Sequence, residues 1–297
     1  MNALLDWLQF VLLPQMFNGL SIGVAVILMA LGLTIIFGLL DVINMAHGEF
    51  YAMGAYVGLT LAAMGISFWL LLVIVPLLMA VLGYAVERSL IQRVFHHKDR
   101  HILTLLLTFG LAIVLEDVYK LIYGPQSIKP ETPIEGAAEV LGMFLPKYRL
   151  FLIAFGAAII IAVWLVVYRT RLGAMVRAAA FDKNMSSSLG VPVTRVYAGT
   201  FAFGVALAGL SGVLLAPLYS MFPTMGKDFI LMAFSVVIVG GLGSIKGAVL
   251  AGLLLTQIQT ISSLYISPSW TDPLVFGIMV VVLMIRPQGM FGRLGHA

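Results

Sequence analysis

The sequence predicts an all-α polytopic membrane protein with about eight or nine transmembrane or partly spanning helices, and three observations predict it. Of its 297 residues, 61% are hydrophobic and only 10% are charged, whereas a soluble domain carries roughly a quarter charged residues. The mean hydropathy of +1.07 extends over the whole length, so residues 1–297 read as one transmembrane domain with no separate soluble part. The apolar runs are long and unbroken, whereas a membrane β-barrel alternates in segments of roughly ten residues. The lack of cysteine excludes a disulfide framework, a thiolate nucleophile and a Cys-based metal site. The net charge of +4 reads as basic loops facing the cytoplasm and not as nucleic-acid binding. Asp6 is present but no Lys or Arg precedes Arg88. The N-terminal run therefore lacks the basic start of a secretory signal and is expected to belong to the mature protein.

Each element follows from the charge-free stretches, since a helix crosses a hydrocarbon core with roughly 17–25 apolar residues. Residues 16–40 form the first span. Residues 50–64 and 68–86 form the second and third, hinged at Gly65, Ile66 and Ser67. Residues 102–123 form the fourth, with Glu116, Asp117 and Lys120 near its end; Lys120 stands one turn from Glu116, which suits a local ion pair. Residues 150–168 and 196–219 are the fifth and sixth. The short run 229–240 precedes 247–264 across a glycine-rich turn, and 274–285 is the last. Two short runs meeting at a glycine break equally describe one re-entrant hairpin.

The loops test this count. Arg88, Arg93, Lys98 and Arg100 cluster in one loop, Arg169, Arg171, Arg177, Lys183 and Arg195 in another, and Arg286 and Arg293 follow the last span. Such clusters belong in the cytoplasm. The loop 124–148 carries Glu131, Glu135 and Glu139 against Lys129 and Lys147 and belongs outside. Nine crossings with the N-terminus outside and the C-terminus in the cytoplasm place every basic cluster on one side. Eight crossings fit only if one short segment fails to cross. A faint inverted repeat is visible as well. Glu49, Phe50 and Met53 have counterparts in Asp228, Phe229 and Met232, and the spans before them run in opposite directions.

Among the chemistry-bearing segments, Asn44-Met45-Ala46-His47-Gly48-Glu49 places an imidazole and a carboxylate between two spans, where ionisable groups mark function. Three readings stand open. The pair lines a solute path, or fixes a broken helix by pairing with each other or with a helix end, or sits hydrated at the cytoplasmic boundary. The nine-span count places residues 41–49 at that boundary. His96, His97 and His101 lie in a basic loop and read as solvated surface, so no metal site is expected. No Walker-type loop and no nucleophile–base constellation occurs, so the chain does not itself cradle a nucleotide. Gly241, Gly243 and Ser244 lie in a run that lacks the Walker lysine spacing and reads as a helix break or tight crossing. The pairs Gly19/Gly23, Gly54/Gly58, Ala202/Ala206 and Gly243/Gly247 stand four apart, which lets helices approach closely.

The loop 169–195 holds a separately capped short helix. Asp182 suits the N-cap, Gly190 suits a left-handed C′ position, and Pro192 follows where a helix has stopped. Seven residues between the caps are too few for a helix stable alone. Met185 and Leu189 share one face, with Ser186, Ser187 and Ser188 around the rest. An apolar pair on a cytoplasmic helix fits insertion into a groove of another protein; the alternative is a helix lying on lipid.

Three stretches resemble the membrane permease subunits of Liv-type ABC importers for branched-chain amino acids, and together they cover essentially the whole chain. The first runs from Asn18-Gly-Leu-Ser-Ile-Gly23 through Ala30-Leu-Gly-Leu-Thr34 to Ile43-Asn-Met-Ala-His-Gly-Glu49. The second runs from Arg177-Ala-Ala-Ala-Phe-Asp182 through Leu189-Gly-Val191. The third is Val239-Gly-Gly-Leu-Gly-Ser-Ile-Lys-Gly-Ala248 with the terminal Arg286-Pro-Gln-Gly289. Met45 departs from the phenylalanine usual there. The resemblance implies a bacterial inner-membrane permease that performs no covalent chemistry. It would work with a second homologous permease, two ABC ATPase subunits that use ATP and magnesium, and a periplasmic substrate-binding protein. The chain itself would bind no cofactor. Asp182, Met185, Ser186, Leu189 and Gly190 would then couple to an ATPase. Asn44, His47, Glu49, Gly241, Gly243 and Ser244 are path or gating candidates, and Glu116 and Asp117 either pair locally with Lys120 or receive the binding protein. The cargo would be a branched-chain or other hydrophobic amino acid. Urea, short amides and small carboxylates are rival cargoes, and a stand-alone proton-coupled transporter or channel is a rival of another class.

Overall fold

The computed structural model describes residues 6–95, 97–140 and 142–292; His96 and Arg293 lie outside the described residues. All nine apolar segments form helices. A π-helical turn, Leu8–Leu12, leads into α1 (Leu13–Leu40), followed by α2 (His47–Ala63) and α3 (Phe68–Val86). A further π-helical turn, Glu87–Ile91, prolongs α3, and α4 is Arg100–Tyr123. In the loop read as external, β1 (Ala137–Val140) and β2 (Met143–Pro146) pair antiparallel. Then come α5 (Lys147–Arg169), α6 (Arg171–Phe181), α7 (Lys183–Ser188), α8 (Val193–Leu215), α9 (Met225–Gly240), α10 (Ile245–Ser262) and α11 (Pro268–Ile285). The hairpin and α6 add to the sequence reading. Both are too polar or too short for a rule based on apolar length to find.

Among the described residues, six stretches are long and apolar enough to cross a membrane: Leu8–Leu40, Phe68–Val94, Arg100–Tyr123, Lys147–Arg169, Val193–Leu215 and Ile245–Ser262. Two of them, α1 and α8, form the centre. α1 is apolar on every side and buried from Gly23 to Ile36 without a break, as expected of a helix with neighbours all round. The Ser211 hydroxyl of α8 donates to the Ala25 carbonyl of α1 at 2.7 Å.

Three contacts orient the bundle. Asp41 caps α1 in the left-handed conformation (φ 51°), which Asp tolerates better than bulkier residues. Its carboxylate lies 3.8 Å from both Arg100 and His101 at the start of α4. Phe95 packs edge-on against Tyr197 near the start of α8. So α1 ends where α4 and α8 begin, and α1 and α8 are antiparallel. At the other end of α1, Gln257 late in α10 donates to the Met16 carbonyl at 2.9 Å.

Helix packing bears out the repeat. α1 packs on α10 as α8 packs on α3; α8 packs on α2 as α1 packs on α9; α2 packs on α3 as α9 packs on α10. Exchanging the trio α1–α3 with the trio α8–α10 leaves this set of neighbours unchanged, and corresponding members run in opposite directions. Glycines make the exchange possible. Gly32 of α1 and Gly204 of α8 each lie against the other's carbonyl, and Gly54 of α2 meets the Gly209 backbone so closely that a Cβ would overlap it.

Candidate functional site

The reading that residues 41–49 all sit at the cytoplasmic boundary needs correction. Asp41 lies at the end of the bundle that carries Arg100 and His101, but His47 and Glu49 lie deeper. Past Asp41 the chain turns back along α1 with no regular structure until Met45. Nε2 of His47 lies 3.1 Å from the Met29 carbonyl oxygen, eleven residues before the end of α1, or about 16 Å at 1.5 Å per residue. The imidazole is fully buried, and its Nδ1 has no protein partner. Because a carbonyl only accepts, Nε2 carries the hydrogen.

Asn44 shapes this return. Its Oδ1 accepts from the Ala46 amide at 3.1 Å, and its carbonyl accepts from His47 N at 3.3 Å. This is an Asx-type turn that sets the entry into α2. The Met45 amide donates to Thr108 Oγ1 on α4 at 3.1 Å. Thus α2 begins inside the bundle, and its 17 residues complete the crossing that the return began.

The same construction occurs from the other side. α9 also begins inside, and the two helix starts meet. A Cβ on Gly48 would overlap the Gly226 carbonyl, and a Cβ on Gly226 would overlap the Glu49 carboxylate. Glu49 therefore places its carboxyl group at the N-terminal end of α9 while lying in the first turn of α2. Both positions favour an anion, by about 0.3–1 kcal/mol each when exposed and more when partly buried. Its Oε2 is buried without a hydrogen-bond partner, and its backbone carbonyl accepts from Tyr119 Oη of α4 at 2.7 Å. Among the described residues no hydrogen bond joins His47 to Glu49; each holds a different helix.

Beside this junction Glu116 of α4 is buried between two cations. Lys120 Nζ stands 2.7 Å from its Oε1 and Lys227 Nζ 2.5 Å from its Oε2. The local pair with Lys120 was legible from its spacing of one turn. Lys227 was missed, and the one signal that pointed to it was the repeat, which sets Asp228 against Glu49.

Gly241, Gly243 and Ser244 form the turn between α9 and α10, with positive φ at Gly241 (100°) and Gly243 (79°). Ser244 Oγ accepts from Gly247 N at 3.1 Å and caps α10. The turn lies beside Gly38, near the end of α1, so it sits at the basic end of the bundle and not at mid-depth. The segment after α11 is pinned to it: Met290 N donates to the Val239 carbonyl at 2.8 Å and Phe291 N to the Gly240 carbonyl at 3.0 Å. The two parts of the third resembling stretch thus meet in space.

In the loop 169–195, Asp182 Oδ1 accepts from Met185 N at 2.9 Å, capping α7 as expected. The helix ends in a full Schellman motif. Gly190 adopts φ +83° and donates to Ser187, and Val191 N reaches the Ser186 carbonyl at 3.0 Å. The Lys183 ammonium lies 4.6 Å from the centre of the Phe95 ring, tying α7 to the chain beyond α3. Ser186 turns inward and is buried, so it belongs to this attachment and not to the outward face. Met185 and Leu189, four apart on α7, stand exposed, as does Phe181 at the end of α6; Phe181 is an addition to the sequence reading.

Residues 15–284 match the family model described as branched-chain amino acid transport system, permease component. The high-affinity branched-chain amino acid transport system permease protein LivH of Salmonella typhimurium is 32% identical, over 95% of this chain and 96% of its own. The corresponding LivM permease protein of Escherichia coli is 27% identical over 89% of this chain and 67% of its own. A chain in the solved structure of PsaBC from Streptococcus pneumoniae in complex with Fab shares the fold, with a TM-score of 0.52 at 16% identity over 97% of both chains.

Proposed function

The chain belongs to the family of branched-chain amino acid transport system permease components, and from that premise we propose that it is the membrane subunit of an ATP-driven importer for branched-chain or other hydrophobic amino acids. It sits in the bacterial inner membrane with its C-terminal end in the cytoplasm and its N-terminal end in the periplasm. The clustering of Arg88, Arg93, Arg100 and Arg286 at one end of the bundle supports this orientation. A second, homologous permease completes the path, which accords with the similarity to both LivH and LivM. A periplasmic binding protein delivers the cargo. Two ATPase subunits bind ATP and magnesium, and this chain binds neither.

The observation that carries the assembly is α7. Its caps hold a six-residue helix that would not persist alone, and they hold it with Met185 and Leu189 exposed. A helix lying on lipid would gain little from three adjacent serines. A groove in an ATPase takes an apolar pair at this spacing, which favours this reading over a stand-alone transporter. The test is uptake of radiolabelled leucine, against urea, into vesicles holding the complete transporter and ATP. Leucine should enter and urea should not. Urea entry without leucine entry assigns the other cargo, and gradient-driven uptake without ATP refutes the ATPase partnership.

A further inference from the structure

Two ammonium groups stand exposed beside the junction of α2 and α9: Lys120 in the last turn of α4 and Lys227 in the first turn of α9, which begins inside the bundle. Glu116 lies sixteen residues beyond Arg100 and seven before Tyr123, so it is about 24 Å from the basic end of α4 and about 10 Å from its other end at 1.5 Å per residue. Its buried carboxylate pairs with both Lys120 and Lys227, which leaves the trio with a net positive charge, and those side chains remain 42% and 55% exposed. Each ammonium carries three donors and keeps some free after pairing. Asp117, 3.3 Å from Lys120, is exposed as well. Lys120, three residues from the end of α4, reaches the helix end, whereas Lys227 starts a helix inside the bundle; an exposed charge there, held to a buried carboxylate, faces a water-filled path or a protein partner.

Helix geometry extends the observation. Ile102, Leu106, Phe109, Ile113, Asp117 and Lys120 are spaced four or three apart and share one exposed face of α4. Thr104, Thr108, Ala112, Glu116 and Tyr119 are the buried face. Beyond His101 at its start, the remaining exposed residues of α4, Leu105, Gly110, Val114, Val118, Leu121 and Ile122, carry no charge. One face therefore offers apolar surface leading to a group of opposite charges, and the other offers only apolar surface.

We propose that the Ile113–Lys120 face of α4, completed by Lys227 of α9, lines the solute path and holds the zwitterionic head of an amino acid in transit. The Lys120 and Lys227 ammoniums take the substrate carboxylate and Asp117 takes its ammonium. The branched tail lies on Ile113 and Phe109. Both cations are already paired with Glu116, so the hold is weak, as a path that must release its solute requires. The junction of α2 and α9 stands directly behind, with the Glu49 carboxylate against the residue before Lys227. The proposal rests on the amino-acid permease reading.

The chain has no cysteine, so single thiols test it in the complete transporter in proteoliposomes. A charged, membrane-impermeant methanethiosulfonate should modify Asp117→Cys and Lys227→Cys, and binding protein loaded with leucine should slow both reactions. Val114→Cys on the uncharged face should stay unmodified. Lys227→Met should lower leucine uptake about tenfold or more, the cost of one charge-assisted hydrogen bond, while stimulated ATP hydrolysis persists; Lys227→Arg should restore uptake. Asp117→Cys reacting no faster than Val114→Cys, or unchanged reaction under leucine, overturns the proposal. So does a Lys227→Met variant that only needs more binding protein for the same uptake, which would make the cluster a docking contact. Wild-type vesicles that import no leucine defeat the parent reading alone, because the accessibility difference between the two faces is read without transport.

Discussion

Replacing Met185 and Leu189 together by Asp should detach the ATPase while leaving the permease folded. Met185 is 60% exposed and Leu189 76% exposed. Docking would remove from water roughly two thirds of two side chains, each worth about 1.5–3 kcal/mol on full burial, or about 2–4 kcal/mol together. Two carboxylates carried into the same groove would add a desolvation cost of at least about 1–3 kcal/mol. The sum, about 3–7 kcal/mol, corresponds to an affinity loss of at least a hundredfold. The substitutions leave α7 itself standing, because its capping bonds run from the Asp182 side chain and from the main chain of Gly190 and Val191. The assay is co-purification of the ATPase with the permease, followed by titration of stimulated ATP hydrolysis, with the thermal midpoint of the isolated permease as control. An ATPase affinity within tenfold of wild type would refute the docking role of α7.

Four further substitutions have definite outcomes. Asp182→Ala removes the cap on Met185 N and should cost α7 about 0.5–2 kcal/mol, read as weaker ATPase stimulation that Asp182→Asn restores. Gly54→Ala should lower the thermal midpoint through overpacking of about 1–3 kcal/mol, because its Cβ meets Gly209 backbone. Gly110→Ala, with nothing within 4 Å, should raise it slightly, by relief of about 0.5–1 kcal/mol of helix-interior glycine cost. His47→Leu removes the donor to Met29 and should lower the midpoint by the loss of about 1 kcal/mol, with no change in the affinity for ATPase.

The sequence revealed the helices well and their depth badly, for a physical reason. Apolar length reports whether a segment is buried in lipid or protein, and all nine runs were visible because each excludes charge over most of a span. Depth is another matter. Residues 41–46 are irregular and carry no periodicity, so nothing in them shows whether the chain leaves the membrane at Asp41 or doubles back along α1. It doubles back, and His47 finds the Met29 carbonyl. The α7 caps were legible because capping is local: Asp182 and Gly190 act within four residues of the groups they satisfy. The Lys227–Glu116 pair joins residues on different helices, and no local rule reports it. The glycine-rich turn at 240–244 was legible as a break, while its anchoring to residues 289–292 depends on tertiary contact.

The two halves of the repeat meet at a point where true equality would be unfavourable. If α2 and α9 carried identical first turns, their positive N-terminal ends would face one another with like charges beside them. The register that pairs Glu49 with Asp228 also pairs His47 with Gly226 and Gly48 with Lys227. Glycine on each side lets the helix starts touch. The first half supplies a buried carboxylate at Glu49, and the second supplies a cation at Lys227, which α4 steadies through Glu116. The inequality avoids the like-charge contact that identical first turns would make. It also confines the exposed charge to one side of the junction, where the Lys120 and Lys227 side chains lie. Closing the exposed side against a second permease, and opening it again, would therefore change the surroundings of Lys120 and Lys227 while the buried Glu49 contact holds the two helix starts together.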